Sequence, residues 1–128
     1  MIFGVGIDMV EVSRVERLWS RYAEHFARRI LMPEELSLFT HTRQPVRFLA
    51  MRFAAKEAVV KALGTGFRHG MWVRDTGSVP DPRGRPLVIF SGRGHEVCRK
   101  LGVGDVHVSL TDEAGMVSAF AVAERVDS

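Results

Sequence analysis

The stretch RFAAKEAVVKALGTG, Arg52 to Gly66, decides the fold. It reads as the second half of a helix that Pro45 opens at a first-turn position and Gly64 closes. At about 100° per residue, Val46, Leu49, Ala50, Phe53 and Val60 form one apolar stripe, with Glu57 at its centre. Phe48, Met51, Ala55, Val59 and Ala62 form a second stripe roughly opposite. A helix apolar on two sides is sandwiched between two layers, which makes this one the structural axis. The Glu57 carboxylate needs a partner there: an ion pair, a hydrogen-bonded network or a metal ion.

Upstream, Met1 to Val10 alternates Phe3, Val5, Ile7 and Met9 with Gly4, Gly6 and Asp8. This is a strand whose second face is nearly bare, so another backbone or a ligand can approach it closely. Ser13 and Glu16 have capping-box spacing and predict a helix to about Ala27, with Val15, Leu18, Trp19, Tyr22 and Phe26 on its apolar face. Pro33, followed by Glu34 and Glu35, opens a short helix to about Phe39. Downstream, Met71 to Val79 and Pro86 to Phe90 read as a hairpin around Asp81-Pro82-Arg83-Gly84. A helix runs from about Gly92 to Leu101, and strands Val106 to Leu110 and Met116 to Ala123 flank a turn at Asp112 to Gly115. The expected fold class is α+β: a small antiparallel sheet packed on a long central helix, in a single domain over residues 1–128.

Composition narrows the function classes. A chain of 128 residues with 46% hydrophobic and 26% charged residues suits one globular core, and its one cysteine, Cys98, excludes an internal disulfide. No charged leader precedes a long apolar run and no stretch approaches the roughly 18 residues of a spanning helix, so the expectation is a cytoplasmic protein with no membrane partner. A formal charge of +3 favours an acidic or polyanionic partner: nucleic acid, a phosphorylated cofactor or an acidic protein. Few aromatics interleave with the basic residues, which argues against nucleic acid.

Asp8 and Glu57 are acids from different elements, and together they suggest a magnesium site. The same spacing permits a plainer account, in which Glu57 pairs with Lys61 at i+4 and Asp8 caps a loop. Lys61 lies on the Glu57 face, near enough to neutralise a phosphate on the same metal. Gly64-Thr65-Gly66 lets the backbone turn tightly, either as a helix cap or to offer amides to an anion. On the first helix Arg14, Arg17, Arg21, His25 and Arg28 form one basic stripe, suited to an acidic helix of a partner or to solvent. His107 alternates with Ser109 and Thr111 on a polar strand face. The remaining histidines show no metal-ligand spacing, and Cys98 has no partner histidine in sequence.

Three blocks, GIDMVEVSRVE (Gly6 to Glu16), RFAAKEAVVKALGTG (Arg52 to Gly66) and HVSLTDE (His107 to Glu113), resemble the holo-acyl-carrier-protein synthase family, the short-chain phosphopantetheinyl transferases. Supporting similarity runs from Arg28 to Ala50, so the likeness spans nearly the whole chain. The resemblance implies transfer of the phosphopantetheine arm of coenzyme A to a serine of an apo acyl carrier protein, in support of fatty acid biosynthesis. It implies magnesium (Mg2+) bound by Asp8 and Glu57, with Lys61 stabilising charge as the diphosphate bond breaks. It places Arg52 and His107 on the adenosine 3′-phosphate, with Gly64, Gly66 and Arg85 nearby, and Arg14, Arg17 and Arg21 on the carrier's acidic helix. A homotrimer with active sites between subunits is implied too, and would account for a helix apolar on two sides. The serine's proton would go to Glu57, or to a water held by the metal and Glu34 or Glu35. Asp112 departs from the histidine of many relatives, Thr76-Gly77-Ser78 is poorer in β-branched residues than the family's strand, and Pro80 replaces a common polar residue.

Overall fold

The structure, a computed structural model, describes residues 1–127. Along the chain run β1 (Ile2–Glu11), α1 (Val12–Ile30), α2 (Pro33–Phe39), α3 (Pro45–Leu63), β2 (Thr76–Pro80), β3 (Pro86–Phe90), α4 (Gly92–Leu101), β4 (Val103–Glu113) and β5 (Met116–Arg125). One antiparallel sheet has the order β1-β5-β4, and β2-β3 form a separate hairpin. The expected α+β architecture on a central helix is what the chain adopts.

The axis is α3. One side packs on the sheet and the other on α1 and β2, so both apolar stripes are satisfied within a single chain. That corrects the expectation that a subunit interface explains the second stripe. Small residues let helix and sheet approach closely: Ala54, Ala55, Ala58 and Ala62 on α3 face a sheet layer containing Ala119, Ala121 and Ala123, all buried. The bare face of β1 is where α3 enters. A Cβ on Gly4 would lie 2.1 Å from Ala62 O, and one on Gly6 would lie 2.1 Å from Ala58 O.

With its glycine face inward, β1 turns Val5, Ile7 and Met9 outward, all more than half exposed. Register places Ile7 opposite Phe120 and Phe120 opposite Ser109, so the outer sheet face carries an apolar patch grading into a polar edge at His107, Ser109 and Thr111.

Local chemistry moves several boundaries. The α1 helix starts at Val12 with Ser13 already inside it and no side-chain cap, so the expected capping box is not formed. The Val12 amide donates instead to Gly115 O at 2.9 Å, which ties the helix start to the β4–β5 turn. At Ala23 (φ 45, ψ −127) the helix is kinked, so His25 and Arg28 leave the stripe begun by Arg14, Arg17 and Arg21. Met71 to Asp75 form turns rather than strand, because Asp75 accepts from Trp72 N, Ser91 Oγ and Arg93 Nε and is committed to capping the region around α4. The β4–β5 hairpin turns at Ala114 (φ 54) and Gly115 (φ 78), the left-handed pair that two-residue hairpins need.

Candidate active site

Close packing of β1 on α3 brings Asp8 and Glu57 together. Lys61 Nζ, one turn beyond Glu57, donates to Asp8 Oδ1 at 3.0 Å and to Ile7 O at 3.1 Å. Lys61 therefore pairs with Asp8, and the i+4 ion pair with Glu57 is absent among the described residues. Burial, and then the Asp8 charge, push the Glu57 carboxyl above its ordinary value, while Lys61 pulls it partly back. Two half-buried carboxylates repelling each other are what a divalent cation relieves. No group of three or more His, Cys, Asp or Glu side chains stands ready to cage a metal among the described residues. Two acids fit magnesium, which keeps waters and takes substrate phosphates as its remaining ligands.

A second constellation lies on the β2 side of α3, and the sequence reading missed its centre. Glu35 and Lys56 are fully buried. Glu35 Oε1 accepts from Met32 N at 2.9 Å and from Lys56 Nζ at 2.7 Å, and Oε2 accepts from Ser78 N at 3.0 Å. Lys56 Nζ also donates to Thr76 O. Burial pushes the Lys56 ammonium below its ordinary value against the pull of Glu35. This pair explains the unusual Thr76-Gly77-Ser78 strand: a Cβ at Gly77 would sit 2.6 Å from Glu35 Cδ, so only glycine fits over the carboxylate. It also removes Glu35 as the holder of a catalytic water, since its oxygens are already engaged. The signal was present in the sequence: Glu35 falls between Leu31, Met32 and Phe39 at helical spacing, on the apolar face of α2.

Arg52 stands at the outer end of this network. Its Nε donates to Ser78 O at 3.0 Å and lies 3.7 Å from Glu35 Oε2, and its guanidinium stacks 4.2 Å from the centroid of Phe48. It lines a groove of about 240 Å³ with Ser78, Pro80, Gly84, Pro86 and Ser109. Ser78 Oγ is buried without a hydrogen-bond partner among the described residues. Arg52 also borders a second groove beside Arg43 and Arg47, and Arg47 is held bidentately by Asp112 at 2.9 and 3.1 Å. Asp112 is thus an arginine clamp in this chain.

Arg85 and His107 line a third cavity, of about 810 Å³, between β3, α4 and β4. Arg85 is paired with Asp81, and His107 Nε2 meets Glu124 Oε2 at 2.7 Å. That bond holds the Glu124 carboxyl below its usual range. Gly64 and Gly66 take the expected left-handed conformations, at φ 78 and φ 58. Their amides are not free for an anion: Gly64 N donates to Lys61 O, and Thr65 N and Gly66 N donate to Val60 O, closing α3. What they offer is open space, with nothing within 4 Å of a Cβ at either position. Arg14, Arg17 and Arg21 are exposed on α1, and none has an ion-pair partner among the described residues.

The sequence-predicted residues thus fall into separate groups: Asp8, Glu57 and Lys61 at β1, Arg52 at β2, Arg85 and His107 at β3 and β4. A single chain does not close them into one pocket.

Comparison with known proteins gives the groups a common context. A model of the 4′-phosphopantetheinyl transferase superfamily matches residues 4–115. The holo-[acyl-carrier-protein] synthase of Vibrio cholerae is 46% identical over 125 residues, covering 98% of this chain and 99% of that protein. The crystal structure of the Neisseria meningitidis holo-[acyl-carrier-protein] synthase superposes with a TM-score of 0.93 at 42% identity, covering 98% of this chain and 100% of that one. The Bacillus anthracis enzyme, solved in complex with CoA (3′,5′-ADP), superposes with a TM-score of 0.80 at 32% identity, covering 98% of each chain.

Proposed function

The chain belongs to the 4′-phosphopantetheinyl transferase superfamily, and we propose that it works as a magnesium-dependent holo-acyl-carrier-protein synthase in the cytoplasm. The reaction moves the phosphopantetheine arm of coenzyme A to a serine of apo acyl carrier protein and releases adenosine 3′,5′-bisphosphate. The observation that carries this reading is the pairing of Asp8 with Glu57 across two elements, with Lys61 seated on Asp8. A magnesium ion bound there would polarise the β-phosphate and neutralise charge as the diphosphate opens.

The chain's own side chains do the remaining work. Asp8 and Glu57 would hold the ion, and Lys61 meets the negative charge gathering on the leaving 5′-phosphate. The carrier serine oxygen bonds to the β-phosphorus as the bridging P–O bond breaks, and its proton passes to a water held beside Glu57. Arg52 and His107 hold the 3′-phosphate, with Arg85 at the rim. The open flank of Gly64 and Gly66 leaves room for the cofactor to pass the end of α3. Arg14, Arg17 and Arg21 receive the acidic helix of the carrier protein, without nucleic acid or membrane as partner. Among the described residues no helix is long and apolar enough to cross a membrane.

Two observations support a homotrimer. The residue groups are dispersed around one chain, and the outer sheet face leaves Val5, Ile7, Met9 and Phe120 in water. A second copy covering that face would bring the β4 groups of one chain toward the β1 group of the next. The test of the function is incubation with coenzyme A, magnesium and apo acyl carrier protein, read by intact mass. A gain of one phosphopantetheine on the carrier, lost when magnesium is chelated, is expected; an unmodified carrier removes the proposal.

A further inference from the structure

The buried ions Glu35 and Lys56 lie outside the reaction, yet their charges add up in a particular way. Glu35 is matched by Lys56 at 2.7 Å with both side chains sealed from water. Arg52 is therefore a surplus cation. Its Nε and one face of the guanidinium are fixed by Ser78 O, Glu35 and Phe48, while neither Nη group makes a hydrogen bond among the described residues. Burial pushes the Arg52 guanidinium below its ordinary value, with the Glu35 charge pulling the other way. Without the carboxylate, Arg52 and Lys56, with Arg74 close enough to be felt at Lys56, would be uncompensated cations in low dielectric, and the flexible one nearest water would swing out.

We propose that Glu35 and Lys56 are positioning residues for substrate selection: Glu35 anchors the Arg52 guanidinium in the groove, and Lys56 neutralises Glu35 so that Arg52 keeps its full charge for a phosphate monoester. The inference rests on the reading that Arg52 holds the 3′-phosphate of coenzyme A.

Discrimination between coenzyme A and 3′-dephospho-coenzyme A tests both levels separately, as the ratio of their kcat/KM values. Arg52→Ala is expected to reduce the wild-type preference by about tenfold to a hundredfold, the worth of one charge-assisted phosphate contact. Wild type without a preference, or Arg52→Ala retaining it, overturns the Arg52 reading and the proposal with it. Given that loss, Glu35→Gln should cut the preference about tenfold through the KM for coenzyme A, with KM for the dephospho substrate little changed. In the Arg52→Ala background it should change the preference no further. A Glu35→Gln protein with lower thermal stability but wild-type preference makes Glu35 a purely structural residue and overturns the inference, while the Arg52 reading stands.

Lys56→Met is the milder second variant, since it leaves Glu35 paired to Arg52 and strands no charge. It is expected to lose preference too, because Arg52 becomes half of a neutral pair. Retention of the preference in folded Lys56→Met refutes the charge count.

Discussion

Replacing Gly6 by alanine tests the contact on which the β1 group depends. A Cβ at residue 6 would meet Ala58 O at 2.1 Å, Ala62 N at 2.6 Å and Lys61 Cβ at 2.9 Å. Two of those are backbone atoms of the last two turns of α3, held in the helix, which cannot rotate away. Ordinary contact begins near 3.4 Å, so strand and helix must separate by about 1.3 Å. That displacement exceeds what cores absorb cheaply, and overpacking of this kind costs about 3 kcal/mol. For a domain of this size it lowers Tm by about 10 °C. The same separation stretches both Lys61 bonds, to Ile7 O and Asp8 Oδ1, and moves Asp8 from Glu57. Gly6→Ala should therefore lose stability and raise the magnesium concentration needed for half-maximal transfer, by about tenfold. Gly92→Ala, which meets nothing within 4 Å, is the control and should leave both unchanged. A Gly6→Ala protein that melts within about 2 °C of wild type with an unchanged magnesium requirement would refute the close-packing account.

In the absence of metal, burial and Asp8 raise the Glu57 carboxyl, so the folded chain keeps that proton to higher pH than the unfolded chain. Glu57's contribution to stability is intact below the ordinary carboxylate value and is lost as pH rises through its raised value; Glu57→Gln should flatten that slope in thermal melts, and equal slopes would contradict it. The same substitution should cut transfer by about a thousandfold if the carboxylate holds the ion. Arg21→Ala should raise KM for the carrier about fivefold at low salt, with the gap closing by about 0.5 M, and a salt-independent difference would exclude electrostatic docking. Phe120→Lys, placed on the exposed outer sheet face, should yield a smaller species by light scattering and lose transfer activity, while an unchanged mass would remove that face from the assembly.

The fold was legible because helix ends and strand alternation are local signals. Pro45 and Gly64 bound α3 as expected, and Pro33 opens α2. Where a boundary depended on a distant group, local signals failed. Ser13 has capping-box spacing, but the first α1 amide is taken by Gly115 O from the far end of the chain. Alternation put Val5, Ile7 and Met9 on one face of β1 and left the other nearly bare, but it says which residues share a face and not which face is inward. The decisive term was the close approach that Gly4 and Gly6 permit to α3.

The same limit governs the charged residues of α3. Periodicity singled out Glu57 as the carboxylate stranded on an apolar stripe, whereas Lys56 is the fully buried ion. The stripe through Glu57 meets β1 where β1 has no side chains, so the half-buried carboxylate lies beside Asp8 instead of a hydrophobic wall. Lys56, turned about 100° away, meets Glu35 across the core, and a pairing across 21 positions leaves no trace in helical spacing. Two adjacent residues on one helix thus send opposite charges to opposite layers. Lys56 ties α3 to α2 and β2, and Glu57 is left under-neutralised at β1, where Lys61 already serves Asp8. Burial and the Asp8 charge hold that carboxyl above its ordinary value, so the proton affinity of Glu57 at β1 follows from how the helix is pinned on its other side.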